Sequence, residues 1–195
     1  MLESFFEGQK KGSFCGIASA VMISNALGSP RTTQDQAWEY VLTDVLHGHK
    51  EDMTYGLTLF QVNKILTDFL ELQTTIRSIQ DPSELESSLK HDLEQAIYSQ
   101  STQKVFIICN FWRFFPHHRG GHMSPIGCYN QHTGHVLMLD VGTHRFKVPY
   151  WIHLSELIPL MCKVDRSSNR PRGYILVTIK SPKEAMEEQS NANSS

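Results

Sequence analysis

The 195-residue sequence lacks the features that bind charged polymers or membranes. Its formal net charge is −2 and its isoelectric point is about 6.5, so it has no strong basic field to attract nucleic acid or anionic lipid. No uninterrupted apolar run approaches the ~20 residues that span a bilayer. Residues 1–7 (MLESFFE) lack the basic and apolar regions of a secretory signal peptide. We therefore expect no nucleic acid or membrane partner, and a cytoplasmic location by default.

Cysteine is scarce, and its spacing excludes one common use. The four cysteines are Cys15, Cys109, Cys128 and Cys162, and no two of them form a CxxC pair. The usual thiolate clip for zinc is therefore absent. Two disulfides would be feasible in an oxidising compartment. At this chain length, mostly buried free thiols are the favoured interpretation.

The predicted elements are helices first and strands afterwards. Capping boxes at Thr58-x-x-Gln61 and Ser83-x-x-Glu86 are predicted to open two of the helices. Helices are predicted over 14–27, 34–46, 59–72, 83–98 and 154–162, and strands over 105–110, 124–130, 136–141 and 174–179. This order predicts an α+β fold in one unit over 1–180. A polar tail over 181–195 is expected to be disordered.

Cys15 begins the first predicted helix and is followed by Gly16. The free amides and the positive end of the helix dipole favour a thiolate at this position, which lowers the thiol pKa. The adjacent glycine lets a carbonyl carbon approach the sulfur. Taken alone, the pattern is better interpreted as an ordinary buried cysteine at a helix start.

A histidine and an aspartate supply possible partners for this thiol. Gly120 and Gly121 precede His122 and leave space at the start of a strand. With a hairpin turn centred near residue 132, the position opposite His122 is about residue 142, and Asp140 lies two residues away. A carboxylate within cross-strand reach fixes the imidazole tautomer, while the other ring nitrogen can take a thiol proton. A structural His–Asp hydrogen bond is the alternative.

Gln9 lies six residues before Cys15. Its amide could donate to an oxyanion together with the backbone N–H of Cys15, and losing such a donor costs roughly 10²–10³ in rate. Gln, then Cys at a helix start, then His and Asp at strand ends is the papain-like arrangement, with helix and sheet on opposite sides of one cleft. The sequence thus predicts a cysteine-nucleophile enzyme with Cys15, His122, Asp140 and Gln9 as catalytic residues.

At these positions the chain resembles the phytochelatin synthase family, from about Gln9 to Ile179. The separation of 18 residues between His122 and Asp140 also agrees with that family. The matching motifs are Gln9, FCGIAS at 14–19, GLT at 56–58, GHMSPIG at 121–127, LDV at 139–141 and RFKVP at 145–149.

The resemblance implies a papain-like enzyme that acts on glutathione. Cys15 would displace glycine, hold a γ-glutamylcysteinyl thioester, and pass that acyl group to a second glutathione or to water. His122 would act as general base and then acid, Asp140 would orient its ring, and Gln9 would donate to the oxyanion.

The resemblance also implies residues that bind the γ-glutamyl end of glutathione. Arg172 would pair with the α-carboxylate and Asp165 with the α-amine, which suits the chemistry of both groups. Gly121 would line the same site. Without the resemblance, Arg166 and Arg170 on the same loop are equally eligible.

The chain departs from the family in three places. Residues 142–144 lengthen the stretch after Asp140, only 14 residues precede Cys15, and no cysteine-rich region follows Ile179. The chain thus resembles the short prokaryotic members, without metal sensing through such a region. We expect no tightly bound cofactor and no metal ligands of its own; Zn²⁺ or Cd²⁺ would enter as thiolate complexes of glutathione. The acceptor site and the oligomeric state stay open, with a homodimer as one option.

Three other functions fit parts of the sequence. A zinc hydrolase could use His118 and His122, which are four residues apart and adjoin His117, but the intervening glycines suit a helix poorly and no glutamate separates the histidines. A non-catalytic thiol-peptide or metal-binding module would keep the fold without turnover. A general papain-like endopeptidase would not need the zwitterion-binding pair of Asp165 and Arg172.

Overall fold

The computed structural model describes residues 2–28, 30–98, 104–115, 118–142 and 149–178. The α-helices of these residues are α1 (Cys15–Leu27), α2 (Gln34–Tyr40), α3 (Leu59–Lys64), α4 (Pro82–Tyr98) and α5 (Leu154–Met161). Leu2–Phe5 and Lys50–Tyr55 are 3₁₀ segments, and π turns follow α2 and α3 at Val41–Val45 and Ile65–Phe69. The described helices include none with the length and apolar character needed to cross a membrane.

The described strands form an antiparallel sheet and a short ribbon. They are β1 (Gln73–Arg77), β2 (Val105–Phe115), β3 (His118–Asn130), β4 (His135–Met138), β5 (Tyr150–His153), β6 (Val164–Asp165), β7 (Arg170–Pro171) and β8 (Tyr174–Thr178). The sheet has the order β1-β8-β2-β3-β4-β5, and β6 pairs with β7 in the ribbon. Because β8 pairs with both β1 and β2, the segment that follows the ribbon is fixed inside the sheet.

The first helix, α1, is enclosed by the rest of the fold. Ten of its 13 residues are buried, and small residues let its neighbours approach closely. A Cβ on Gly16 would lie 2.4 Å from Val62 Cγ2 and 3.4 Å from Met123 Sδ. The helix ends at Gly28, whose φ of 86° is a left-handed conformation that favours glycine. An enclosed helix holds its first residue, Cys15, in a fixed place.

Apolar layers cover both faces of the large sheet. One layer joins α1, α2 and α3 to sheet residues such as Ile108 and Val177. The other joins α4 and α5 to sheet residues such as Ile107 and Val136. Alternate residues of a strand point to opposite faces, so Ile107 and Ile108 enter different layers. Burial on both faces explains why the run at 105–109 is continuously apolar.

The α+β fold predicted from the sequence is confirmed. The helix that begins with Cys15 packs on an antiparallel sheet, with His122 on β3 and Asp140 just after β4. The bounds of α1, α4 and α5 agree with the predicted helices to within one residue, whereas the predicted helices at 34–46 and 59–72 pass into π turns. The strands β1, β5, β6 and β7 are not predicted from the sequence, and the strand predicted over 136–141 ends at Met138. The tail at 181–195, residues 143–144 and His117 lie outside the described residues.

Of the two predicted capping boxes, one is confirmed and one is not. The capping box of Thr58 and Gln61 is confirmed at the start of α3. The prediction of a capping box at Ser83 is wrong, because α4 already begins at Pro82. Asp81 Oδ1 accepts instead from the Glu84 N–H at 2.8 Å. Proline at the first helical position has no N–H to satisfy, so an aspartate before it caps the helix well.

The β3–β4 hairpin brings Asp140 to His122. The turn lies at 131–134, as predicted, and pairing begins with Asn130 opposite His135. A bulge in β3 then shifts the register by one residue before the hairpin reaches the site. The chain continues past β4, so Asp140 arrives beside the first half of β3.

Candidate active site

Cys15 is the first residue of α1, and this helix start has no side-chain cap. Phe14, at the N-cap position, makes no side-chain hydrogen bond to the first turn. The amides and the positive end of the helix dipole are therefore available to an anion. Cys15 as a whole residue is partly exposed, and it lines a cleft.

His122 lies between Cys15 and Asp140. Its Nε2 is 2.8 Å from Asp140 Oδ1 and 3.0 Å from Ser124 Oγ, and its ring lies close enough to the Cys15 thiol for the thiol to raise the pKa of the ring. Because Nε2 is engaged with the carboxylate, Nδ1 is the nitrogen left for the thiol. The ring packs edge-on against Phe111, with 5.7 Å between the ring centroids. The structure thus brings the predicted nucleophile, base and orienting carboxylate into one line of contacts.

Asp140 is a buried carboxylate with four donors around it. Besides His122, Arg113 Nη2 lies 2.6 Å from Oδ2, the Gly142 N–H donates to Oδ1 at 2.8 Å, and the Tyr150 O–H donates to Oδ2 at 3.2 Å. Asp140 is 1% exposed and Arg113 is 3% exposed. A buried carboxylate stays ionised only where a cation and hydrogen bonds offset its lost hydration. Arg113 supplies that cation.

The ionisation of the three groups is set by burial and by these contacts. Burial is the largest influence on Cys15 and opposes ionisation, but His122 and the amides of Met123 and Gly16 outweigh it, so the pKa of Cys15 is lowered from its ordinary 9.0. Burial also disfavours the His122 cation, yet Asp140 and Cys15 raise the pKa of His122 above 6.5. Against burial, His122 holds the pKa of Asp140 below 3.8. These shifts favour a thiolate–imidazolium pair.

A second polar cluster lies in the same cleft, which has a volume of about 1050 Å³. Asp165 and Arg172 are 7% and 6% exposed, and Arg172 Nη2 lies 3.6 Å from Asp165 Oδ1. Arg172 Nη1 donates to Asn110 Oδ1 at 3.0 Å, and Arg172 Cζ is 5.4 Å from the centroid of the Trp112 ring. Contacts from several sides therefore hold the guanidinium in place.

The other two eligible arginines differ from Arg172 in their surroundings. Arg170 Cζ lies 4.7 Å from the centroid of the Phe60 ring, and Arg170 is exposed. Arg166 lines the cleft but is also exposed. Water competes less for a carboxylate at a buried guanidinium than at an exposed one. Burial therefore distinguishes Arg172 from the other two arginines.

Gln9 lines the cleft on the loop that precedes α1 and is 6% exposed. Its backbone N–H donates to Val141 O at 2.7 Å, which joins the loop to the residue after Asp140. Its side-chain Nε2 donates to Lys11 O and Gly12 O, both at 2.7 Å. Both amide protons are engaged in this conformation, so donation to an oxyanion requires that Gln9 share or exchange one of these bonds.

The family model of phytochelatin synthase matches residues 1–174, a range that contains every residue of the cleft described above. The chain belongs to the phytochelatin synthase family.

Two relatives in this family show how much of the chain is shared. The glutathione γ-glutamylcysteinyltransferase of Schizosaccharomyces pombe is 28% identical over 176 residues, which cover 87% of this chain and 40% of the relative. Glutathione γ-glutamylcysteinyltransferase 1 of Triticum aestivum is 29% identical over 194 residues, which cover 92% and 36%. The chain thus spans less than half the length of these relatives.

Among solved structures, the Salmonella effector SpvD covers 92% of this chain and 75% of its own, at 17% identity and a TM-score of 0.41.

The described residues provide no ligand group for the zinc hydrolase or metal-binding alternatives. In that part of the chain, no three His, Cys, Asp or Glu side chains are grouped so that they could hold a metal ion. The side chain of His118 and all of His117 lie outside it. His122, the remaining member of the zinc alternative, is engaged with Asp140 and Ser124.

Arg113 and Asn110 are site residues that the sequence analysis does not identify. Both lie on β2, where Arg113 is the only charged residue in the strand VFIICNFWRFF. A charge in an apolar strand needs a buried counterion, so its presence is a signal that the sequence does carry. The partner, Asp140, is 27 residues away and cannot be chosen without the strand register.

Proposed function

We propose that this chain is a glutathione γ-glutamylcysteinyltransferase that also hydrolyses glutathione when water takes the place of the acceptor. The observation that carries the proposal is the line of contacts from the Cys15 thiol through His122 to Asp140 at the uncapped start of α1. The relatives from Schizosaccharomyces pombe and Triticum aestivum are both named glutathione γ-glutamylcysteinyltransferase, which supports the same substrate.

The first half-reaction forms a thioester. The Cys15 thiolate attacks the carbonyl carbon of the Cys–Gly bond, and the oxyanion develops at the positive end of α1, where the Cys15 N–H donates to it and the Gln9 amide joins by exchanging its bond to Lys11 O or Gly12 O. The C–N bond then breaks as His122 gives its proton to the departing glycine amine. Asp140 stabilises the imidazolium until that transfer. The products are free glycine and γ-glutamylcysteine held on Cys15.

The second half-reaction releases the acyl group. His122 takes a proton from the amine of a second glutathione or from water, the new C–N or C–O bond forms, and the C–S bond breaks to restore the thiolate. Transfer lengthens the acceptor by one γ-Glu-Cys unit, and hydrolysis releases γ-Glu-Cys. The cleft volume of about 1050 Å³ slightly exceeds the ~300–1,000 Å³ of small-molecule pockets, which supports room for an acceptor beside the donor.

The γ-glutamyl end of the donor is assigned to the second polar cluster. Arg172 pairs with the α-carboxylate and Asp165 with the α-ammonium. The Nδ2 of Asn110 is buried and has no hydrogen-bond partner, so it can donate to the same carboxylate. Zn²⁺ or Cd²⁺ enters as a thiolate complex of glutathione, as substrate, and no tightly bound cofactor takes part.

Replacing Gly121 with alanine is expected to raise the KM for glutathione. A Cβ on Gly121 would lie 2.3 Å from Arg172 Nη1, so the guanidinium must leave its position beside Asn110 and Asp165. A displaced charged hydrogen bond is worth about 1.5–3 kcal/mol, which corresponds to a KM roughly 10–100-fold higher. Steady-state kinetics of glycine release would measure this KM.

Gly120→Ala is the matched control for this variant. Gly120 is the preceding residue, and a Cβ there would meet nothing within 4 Å. Its KM should equal that of the unmodified chain. Equal KM values for the two alanine variants would show that Arg172 does not bind the donor.

The proposed reaction is tested by incubating the chain with glutathione, with and without Cd²⁺, followed by mass analysis. We expect glycine release in both conditions, with γ-Glu-Cys as the product of hydrolysis and (γ-Glu-Cys)n-Gly peptides as the products of transfer. A peptide with a blocked N-terminus should remain intact, because it offers Arg172 and Asp165 no zwitterion. Absence of glycine release in both conditions would refute the proposal, and cleavage of the blocked peptide would indicate an endopeptidase.

A further inference from the structure

Gln34 is a fully buried polar side chain that takes no part in the contacts described so far. It is the first residue of α2 and is 0% exposed. Its Oε1 accepts from the Lys10 N–H, and its Nε2 donates to Gly8 O and Glu7 Oε1, each at 2.9 Å. Both amide protons and the carbonyl oxygen are therefore engaged. A buried amide with all its groups bonded has one fixed orientation.

Two of these bonds act on the peptide groups that flank Gln9. The Gly8 carbonyl belongs to the peptide before Gln9, and the Lys10 N–H belongs to the peptide after it. The Gln9 N–H itself donates to Val141 O at 2.7 Å. Gln34 and Val141 thus hold both peptide planes on either side of the Gln9 Cα, and the direction of the Gln9 side chain follows from those planes.

We propose that Gln34 is a positioning residue for acyl transfer, which fixes the Gln9 backbone at the wall of the cleft that Cys15 also lines, so that the Gln9 amide reaches the oxyanion by exchanging its bond to Lys11 O or Gly12 O. This inference rests on the proposed function. Without Gln34 the two peptide groups would bond to water in several orientations, and the Gln9 amide would exchange its bond in favour of the oxyanion from a correct backbone position for only part of the time. Gln34 makes no contact with Arg172 or Asp165, so binding of the donor should not depend on it.

The first test is Gln34→Met, which keeps the length of the side chain and removes all three hydrogen bonds. We expect kcat to fall roughly 10–100-fold, which is part of the 10²–10³ that a complete oxyanion donor supplies. The KM for glutathione should stay within about twofold, because only an interaction made in the transition state is weakened. An unchanged kcat would overturn the proposal.

A double-mutant cycle with Gln9→Ala separates positioning from general loosening of the structure. If Gln34 acts through Gln9, Gln34→Met lowers kcat in the parent chain and has no further effect once Gln9 is alanine. Equal losses in both backgrounds would overturn the proposal, and so would an unchanged kcat in Gln9→Ala alone. A parent chain with no glycine release would refute the proposed function instead, so the two failures are distinguishable.

Asp35→Asn is the matched control in the same first turn of α2. Asp35 pairs with the Lys10 side chain, and both groups are solvent-exposed, so the loss of this pair should leave kcat unchanged.

If Gln34→Met does not fold, Gln34→Glu keeps the acceptor for the Lys10 N–H and removes both donors, and the same double-mutant cycle applies. Hydrogen exchange of the parent chain gives a check without mutation, because a Lys10 amide that exchanges as fast as a free peptide would contradict the contact.

Discussion

Replacing Cys15 with serine is expected to abolish both glycine release and the acyl adduct. The same surroundings that lower the thiol pKa are insufficient to ionise a hydroxyl, since burial opposes any anion at this position. The loss of kcat should be on the order of 10⁴–10⁶. Intact-mass measurement after acid quenching should show a γ-Glu-Cys addition on the parent chain and none on Cys15→Ser.

Cys128→Ser is the control for this result, because Cys128 is an exposed free thiol outside the contacts of the site. It should retain the adduct and the rate of the parent chain. A Cys15→Ser variant that still forms the adduct would place the nucleophile elsewhere. A parent chain that binds glutathione without turnover, with binding preserved in Cys15→Ser, would support the non-catalytic alternative.

The fold could be predicted from sequence where an element is long, periodic and marked at its ends. α1 has an apolar run and a terminal Gly28, and both ends were identifiable from these signals. β1 and β5 lack such signals: QTTIR is mainly polar, and YWIH has only four residues. Both are edge strands of the sheet, where half-exposed residues give no continuous apolar pattern. The π turns after α2 and α3 depend on packing that a local pattern does not contain.

The site residues divide in the same way between local and distant signals. Cys15 is marked by a helix start, and His122 and Asp140 belong to one hairpin, so counting from its turn relates them. Gln34 reaches Lys10 across 24 positions, and Arg172 reaches Asn110 across 62. No spacing rule connects such pairs, because their proximity depends on how α2 packs beside the loop before α1 and on how β8 enters the sheet. Sequence therefore relates the proposed reacting groups to one another more readily than it identifies the residues that contact them from distant segments.

Asp140→Asn is expected to damage both stability and turnover, although asparagine has nearly the same shape and can accept a hydrogen bond from His122. The variant removes the negative charge that pairs with Arg113, whose side chain is only 3% exposed. Breaking a buried ion pair lowers the free energy of unfolding by about 3–5 kcal/mol. It also removes the charge that raises the pKa of His122, so the imidazolium forms less readily. We expect kcat to fall about 10²–10⁴-fold. Urea unfolding and glycine release measure the two effects.

The decisive comparison is Asp140→Asn combined with Arg113→Met. If Arg113 is the counterion of Asp140, each single variant leaves one buried charge without its partner, whereas the double variant leaves none. The double variant should therefore be more stable than either single variant. Turnover should recover only in part, since the substituted amide orients His122 without stabilising its cation. A double variant whose stability loss equals the sum of the single losses would show that the two charges do not depend on each other. In that case the pairing with Arg113 would not explain why an aspartate occupies position 140.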